Sequence, residues 1–242
     1  MWWEELKLQL YQTFVQDGNY MYFVRGIGIT LLVTVLALVM GIVIGLAVAI
    51  VRSGYDLQSD GRKNHLLGFF NIICKIYLTV IRGTPTMVQL LIMWFVIWAG
   101  ARSTNGNLIR CAVLTFGINS GAYVAEIFRS GIMSIDKGQM EAGRSLGLPY
   151  AASLFSIVIP QAFKNVLPAL GNEMITLLKE TSIVTVIGLK DLTKGAMIIQ
   201  AKNYQALVPF IAIALIYLGI VMIMVKILSV VEKRMRINER RT

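Results

Sequence analysis

A long uncharged segment near the N-terminus sets the first limit on the fold. No charged residue lies between Arg25 and Arg52. As a helix with a rise of about 1.5 Å per residue, this segment extends about 39 Å, more than the bilayer core of about 30 Å. It therefore predicts a membrane-spanning helix. The chain of 242 residues is 56% hydrophobic and 15% charged, and this balance predicts several such spans within one domain.

Five segments are predicted to cross the membrane, so the predicted fold class is an all-α membrane protein. The spans are placed at about residues 26–51, 84–100, 108–130, 160–187 and 207–229. The third span contains polar residues, among them Asn119, Ser120 and Glu126, and is predicted to face other helices or water. The fourth is predicted to extend beyond Lys164 and Lys179, because the run between these lysines is short for a crossing.

The segment at 66–81 decides the predicted topology. Its apolar run is interrupted by Lys75, which favours a position on the membrane surface. Five spans then place the two termini on opposite sides. The loops at 52–82 and 129–164 and the tail from Lys226 share one side and carry 15 of the 23 Lys and Arg residues. Because cytoplasmic loops are rich in Lys and Arg, this side is predicted to be cytoplasmic and the N-terminus outside. Cationic loops also explain the net charge of +10 better than nucleic-acid binding does.

Three regions are distinguished along the chain. Residues 1–22 place tryptophans and leucines among charged residues and are predicted to form an interfacial amphipathic helix. Residues 23–231 form the predicted transmembrane domain, and residues 232–242 form a basic cytoplasmic tail. In the first span, Gly41 and Gly45 lie on one face, where they either admit another helix or are simply tolerated.

The segment between the third and fourth spans mixes polar and apolar residues and does not fit a crossing helix. Residues 136–146 are predicted to form one short helix and residues 150–158 a second. Gly147-Leu148-Pro149 separates them, because glycine permits a positive φ and proline disfavours helix in the residue before it. The pattern leaves two alternatives open: a helix pair under the membrane, or a loop that merely connects two spans.

Within this segment, Glu141-Ala142, Gly147, Ile157 and Pro160 closely resemble the E-A-A loop of bacterial ABC transporter permeases. The third position is Gly143, where the family pattern has alanine. Three further motifs are similar to the polar amino acid uptake branch of these permeases: Arg82 to Pro85 with Val88 to Leu90, Asn119 to Tyr123 with Glu126 to Arg129, and Leu178 to Ser182. The resemblance implies a type I ABC importer permease fold.

The resemblance also implies a function and partners. The chain is expected to be the permease subunit of an ATP-driven importer of polar amino acids in the bacterial plasma membrane. The implied partners are a dimer of cytoplasmic ABC ATPase subunits, a second permease subunit of the same or a related sequence, and an extracytoplasmic amino-acid-binding protein, besides membrane lipid.

The sequence has no G-x-x-x-x-G-K-[ST] phosphate loop, so ATP and Mg are expected on the partner ATPase. The chain itself is expected to be non-catalytic and to hold no cofactor and no metal. The main alternative is an ion or small-solute channel, because polar residues in the third and fourth spans could line a pore.

Three sets of residues follow as candidates for function. The expected ATPase-coupling residues are Glu141, Ala142, Gly143, Leu146, Gly147, Leu148 and Phe155. Substrate is expected near the bilayer midplane, where the candidate residues are Gln89, Met93, Asn119, Ser120, Tyr123, Asn172, Glu173 and Thr176. The candidate gate comprises Lys179, Glu180, Thr181 and Ser182.

Each set has a structural alternative. Asn119 and Ser120 suit hydrogen bonds between helices as well as substrate contact. Glu126 lies three residues before Arg129, and this spacing favours an ion pair on one helix face over a substrate contact. The gate residues equally suit a helix end with polar caps.

Overall fold

The computed structural model describes residues 2–56, 58 and 64–239. Throughout these residues the regular structure is helical, which confirms the predicted all-α class. Ten α-helices are described: α1 Trp2–Phe14, α2 Tyr20–Asp56, α3 His65–Gly83, α4 Thr86–Ile92, α5 Asn105–Met133, α6 Lys137–Ser145, α7 Tyr150–Ser153, α8 Ile159–Glu180, α9 Leu192–Asn203 and α10 Leu207–Glu239. π-helical turns follow α4 at Met93–Ile97 and α7 at Leu154–Val158, and 3-10 turns occur at Gln16–Gly18 and Thr181–Ile187.

Among the residues that the structure describes, four helices are long and apolar enough to cross a membrane: α2, α3, α5 and α10. Helix α3 meets this criterion with 19 residues, so its placement on the membrane surface stays a prediction. Helix α8 extends beyond both Lys164 and Lys179 and continues into the turn Thr181–Ile187, and its crossing of the membrane as the fourth span stays a prediction. Helix α10 runs to Glu239, so the predicted tail begins as helix, and residues 240–242 lie outside the described residues.

The second of the predicted short helices differs from expectation at its end. The helical backbone that starts at Tyr150 passes through the π-helical turn Leu154–Val158 directly into α8. Pro160 has no N–H to donate into the helix, and a π-helical turn shifts the hydrogen-bond ladder just before it. The segment is therefore one short helix, α6, followed by the extended N-terminal part of α8.

The packed residues divide into two compact units. The first unit contains Met1–Ala37, Thr86–Phe116 and Ile175–Ile227, and the second contains Leu38–Pro85, Gly117–Met174 and Leu228–Thr242. In the first unit, Phe23 of α2 packs with α9 and α10, and the ring of Phe14 lies 5.5 Å from that of Phe23. The hydroxyl of Thr30 accepts a hydrogen bond from the N–H of Leu192 at 3.4 Å, which ties α9 to the first part of α2.

In the second unit, small residues bring α2 and α5 close together. A Cβ atom at Gly45 would lie 2.6 Å from Cγ1 of Val124, and one at Gly41 would lie 3.0 Å from Cβ of Ser120. These glycines therefore allow a close helix approach, which is the first of the two alternatives that the sequence left open. The close contact fixes the position of Ser120 and of the turn of α5 around it.

Candidate functional site

Ser120 and Glu173, predicted for one pocket from distant parts of the chain, meet in the second unit. The hydroxyl of Ser120 donates to Oε1 of Glu173 at 2.7 Å, joining α5 to α8. Ser120 is fully buried, and Glu173 is partly buried. This contact is the hydrogen bond between helices that was one alternative for Ser120. It also gives Glu173 a partner that cannot be recognised from the neighbouring residues in the sequence. Because a carboxylate accepts several hydrogen bonds, Oε2 of Glu173 provides a further acceptor.

The neighbours of this pair are held firmly in place. The hydroxyl of Tyr77 on α3 donates to the carbonyl oxygen of Ile118 at 2.5 Å. Asn119, which precedes Ser120 on α5, is buried, whereas Asn172, which precedes Glu173 on α8, is exposed. The pair therefore has a buried amide beside it on α5 and an exposed amide beside it on α8.

The remaining substrate candidates Gln89, Met93 and Thr176 belong to the first unit, and so do the gate residues. Within this unit α4, which carries Gln89, packs against the 3-10 turn Thr181–Ile187. The hydroxyl of Thr181 donates to the carbonyl of Leu178 at 2.6 Å, and that of Ser182 donates to the carbonyl of Lys179 at 2.8 Å. These are helix-end hydrogen bonds of the kind that the capping alternative required. A gating role for Lys179 to Ser182 stays a prediction.

Tyr123 lies next to a cluster of ion pairs. The guanidinium carbon of Arg82 lies 5.5 Å from the centre of the Tyr123 ring. Glu126 pairs with Arg129 at 3.1 Å, which confirms the predicted ion pair on one helix. Arg52 and Arg82 also reach the same carboxylate, at 3.5 and 3.8 Å. Sequence reasoning missed these two arginines, although Arg82 stood within a recognised motif.

The segment predicted to couple to an ATPase forms an exposed turn. Helix α6 is capped by Asp136, whose Oδ1 accepts from the N–H of Gly138 at 2.6 Å. The helix ends at Ser145, and Gly147, two residues beyond it, has a φ of +85°. The exposed candidates around this end are Glu141, Ala142, Leu146, Gly147 and Leu148, and the side chain of Leu146 is 84% exposed. The side chain of Phe155 lies outside the described residues.

Gly143 differs from the other residues of this set because it is buried. A Cβ atom at Gly143 would lie 2.7 Å from Cδ1 of Ile157 and 2.9 Å from Oγ of Ser153. Gly143 therefore packs α6 against α7 and the π-helical turn that follows it, and so supports the exposed turn from inside. Nearby, the side-chain amide of Asn165 donates to Oγ of Ser134 at 3.0 Å, so α8 is also tied to the end of α5.

Asp191 is a buried carboxylate that sequence reasoning missed. It lies between the predicted fourth and fifth spans and caps α9, accepting from the N–H groups of Thr193 at 3.0 Å and Lys194 at 2.9 Å. Burial raises the pKa of Asp191 to about 6, against the opposing effect of these hydrogen bonds. The sequence offered one signal for this role: Asp191 stands directly before the helix, and acidic residues at this position often cap helix N-termini. No group of three or more metal-ligating side chains occurs within the ranges that the structure describes.

Comparison with known proteins gives matches over most of the chain. Residues 61–237 match the family described as binding-protein-dependent transport system inner membrane component. The arginine transport system permease protein ArtQ of Bacillus subtilis (strain 168) is 42% identical, over 72% of this chain and 84% of its own length. The glutamine transport system permease protein GlnP of Escherichia coli (strain K12) is 39% identical, over 69% and 76%.

Solved structures give the same result. A crystal structure of an amino acid ABC transporter with histidines matches with a TM-score of 0.77 and 40% sequence identity, covering 89% of this chain and 94% of the other. An inward-facing structure of the MetNI methionine ABC transporter matches with a TM-score of 0.69 at 19% identity, which bears on the fold alone.

Proposed function

The chain belongs to the family of binding-protein-dependent transport system inner membrane components, and we propose that it is the permease subunit of an ATP-driven importer of polar amino acids. The observation that carries the proposal is the 40% identity to a chain of an amino acid ABC transporter over 89% of this chain. The arginine and glutamine permeases named above support the same substrate class. The chain is accordingly a multi-pass protein of the bacterial plasma membrane.

The proposed complex has four kinds of component. An extracytoplasmic amino-acid-binding protein delivers substrate, as the family description implies. A second permease subunit, identical or related, completes the translocation path. Two cytoplasmic ABC ATPase subunits bind ATP and Mg, and this chain is the non-catalytic subunit on which they act.

The exposed turn around Leu146 is proposed as the contact with the ATPase. A nucleotide on a partner can shift the permease between conformations only through contacts that differ between those conformations. The turn suits this task because Leu146 is 84% exposed while Gly143 anchors α6 to Ser153 and Ile157. A force applied to Glu141, Leu146 or Leu148 would therefore pass into the backbone of α8, which carries Glu173.

The pair of Ser120 and Glu173 is proposed as the centre of the substrate path. A carboxylate inside a membrane protein is costly unless it is paired or used. Here Ser120 occupies Oε1 of Glu173, so Oε2 is proposed to accept a hydrogen bond from the substrate ammonium group. The amides of Asn119 and Asn172 are proposed as donors to the substrate carboxylate. Tyr123 is proposed to line the same path. Within the first unit, Gln89, Met93 and Thr176 are proposed as substrate contacts, and Lys179, Glu180, Thr181 and Ser182 as the gate.

Reconstituted transport tests the proposed function. The full complex in proteoliposomes, with a panel of radiolabelled polar amino acids, should show uptake that requires both ATP and the ATPase subunits. Liposomes that contain the permease subunits without ATPase serve as the control. The channel alternative requires flux in these control liposomes, and such flux would contradict the importer proposal.

A further inference from the structure

A basic cavity in the second unit shares Tyr123 with the proposed transport path, but its charged lining has no role in that path. It has a volume of about 600 Å³ and lies between α2, α3 and α5. The charged residues that line it are Arg52, Lys75, Arg82 and Glu126. The three cations outnumber the one carboxylate, and Glu126 is already shared with a further arginine, Arg129, at 3.1 Å. The cavity therefore carries a surplus of positive charge.

Arg52 has hydrogen-bonding capacity to spare in the cavity. Arginine has five N–H donors in a planar fork that suits a carboxylate or a phosphate. Arg52 reaches Glu126 at 3.5 Å through Nη1, and its Nε is buried without a hydrogen-bond partner among the residues that the structure describes. Its side chain is 16% exposed, so bulk water satisfies little of this capacity. Unused donors and surplus charge together favour an anionic ligand.

The outer surface of α3 indicates where that ligand comes from. Lys75, Thr79 and Arg82 line the cavity, and Ile72, Ile76 and Val80 form the adjacent row on the same helix. These three apolar side chains are between 53% and 59% exposed. Residues three and four apart are neighbours on a helix, so a polar row and an apolar row run side by side along α3. An anion attached to a hydrocarbon chain would satisfy both rows.

We propose that this cavity binds the phosphate group of an anionic membrane lipid, with an acyl chain along the apolar row of α3. Arg52 and Arg82 supply charge-assisted hydrogen bonds to the phosphate oxygens, and Lys75 stands at the rim as a further positive charge. Basic pockets between membrane helices are a known way to recognise anionic lipid headgroups. Binding of a lipid requires neither ATP nor substrate, so its test is separate from the test of the proposed transport function.

Lipid binding to the purified full-length protein in detergent tests this inference. Native mass spectrometry would measure the apparent affinity for dioleoylphosphatidylglycerol and for dioleoylphosphatidylcholine. In the double variant Lys75→Gln/Arg82→Gln we expect the affinity for phosphatidylglycerol to fall about tenfold or more. The matched control is Arg102→Gln/Arg110→Gln, which removes two exposed basic side chains outside the cavity and should change the affinity less than about twofold.

Several results would overturn the inference. Equal binding of the two lipids, or equal losses in the two double variants, would contradict a phosphate site in the cavity. Displacement of phosphatidylglycerol by glycerol 3-phosphate at a similar concentration would assign the site to a soluble phosphate instead of a lipid. Lys75→Gln alone changes an exposed side chain and should still weaken binding several-fold, so it decides the question if the double variant does not fold.

Discussion

Ser120 has a structural and a proposed functional role through one hydroxyl group. It is packed against Gly41 of α2, and its hydroxyl donates to Glu173 of α8. Hydrogen bonds between membrane helices contribute about 1 kcal/mol. Removing the hydroxyl should therefore weaken the helix contact modestly, whereas changing the carboxylate should alter the charge that the substrate meets.

Glu173→Gln separates these two roles. Glutamine keeps an oxygen that can accept from Ser120, so the complex should assemble normally. It removes the negative charge that we propose for the substrate ammonium, so uptake by the reconstituted complex should fall about tenfold or more, equivalent to about 1.4 kcal/mol. Ser120→Ala should lower thermal stability and should reduce uptake less than Glu173→Gln does, because it keeps the carboxylate. Unchanged uptake in Glu173→Gln would remove this carboxylate from the path.

Asp191 should make the stability of the protein depend on pH. Its pKa is about 6 in the folded protein, above its ordinary value of 3.8, so the folded state holds its proton more tightly. The contribution of Asp191 to stability is then fully present below about pH 4 and is lost as the pH rises through about 6. The loss is at most about 3 kcal/mol, since one pKa unit corresponds to about 1.4 kcal/mol.

Asp191→Asn should abolish this dependence while keeping an oxygen that caps α9. Thermal unfolding of the purified protein, measured at intervals from pH 4 to pH 7, would give a flatter profile for the variant than for the original chain. Asp17→Asn, at a surface turn of the same unit, is the matched control and should leave the profile unchanged. Identical profiles for Asp191→Asn and the original chain would refute the assignment.

At the level of single elements, α6 has an exposed side for a partner and a buried side for its own support. Glu141 and Leu146 are exposed, while Gly143 is buried against Ser153 and Ile157. The break that releases α6 from α7 depends on Gly147 and its φ of +85°. Side chains of L-residues cost about 1–2 kcal/mol in this conformation, so the shape of the turn depends on this glycine.

Gly147→Ala should therefore distort or destabilise the turn. We expect a loss of about 1 kcal/mol in stability and weaker retention of the ATPase during purification. Gly106→Ala is the matched control, because a Cβ atom there meets nothing within 4 Å and no positive φ is required. If the Gly147→Ala protein had the same stability as the Gly106→Ala protein and retained as much ATPase during purification, this role of the turn would be contradicted.

Glu141→Lys tests the exposed side of α6 without straining the backbone. Because the side chain is exposed, stability should change by less than about 0.5 kcal/mol. If the turn binds the ATPase, the reversed charge should abolish most ATP-driven uptake or release the ATPase. Glu5→Lys makes the same change on the exposed surface of α1 and should leave uptake intact. Normal uptake in Glu141→Lys would refute the coupling role.

Across the whole molecule, the features predicted from sequence are those encoded by neighbouring residues. The long helix α2 follows from an uninterrupted apolar run, and the pair of Glu126 with Arg129 follows from a spacing of three. By contrast, Arg52 meets Glu126 across 74 positions, a distance over which one sequence carries no pairing signal. The bond between Ser120 and Glu173, 53 positions apart, was likewise hidden, although each residue was chosen for its polarity within a span.

The same limit applies to the role of individual small residues. Gly143 was expected at the partner surface because it occupies a motif position, but whether a motif residue faces outward depends on what packs against α6. Gly143 contacts Ile157, which lies in the π-helical turn Leu154–Val158. This turn continues directly into α8, and the sequence pattern did not indicate it. Motif recognition therefore identified the functional segment, and packing decided which of its residues are exposed.

The topology of the whole chain depends on α3, and labelling of single cysteines would decide it. If α3 lies on the membrane surface, five spans place residue 146 in the cytoplasm and residue 204 outside. Both positions suit the test because Leu146 is 84% and Tyr204 is 90% exposed. In a chain with Cys74 and Cys111 replaced, a membrane-impermeant thiol reagent should label Tyr204→Cys in intact spheroplasts and Leu146→Cys only after lysis. If α3 crossed the membrane as a sixth span and the N-terminus stayed outside, Leu146→Cys would be labelled before lysis, which would also place the exposed turn of α6 out of reach of a cytoplasmic ATPase.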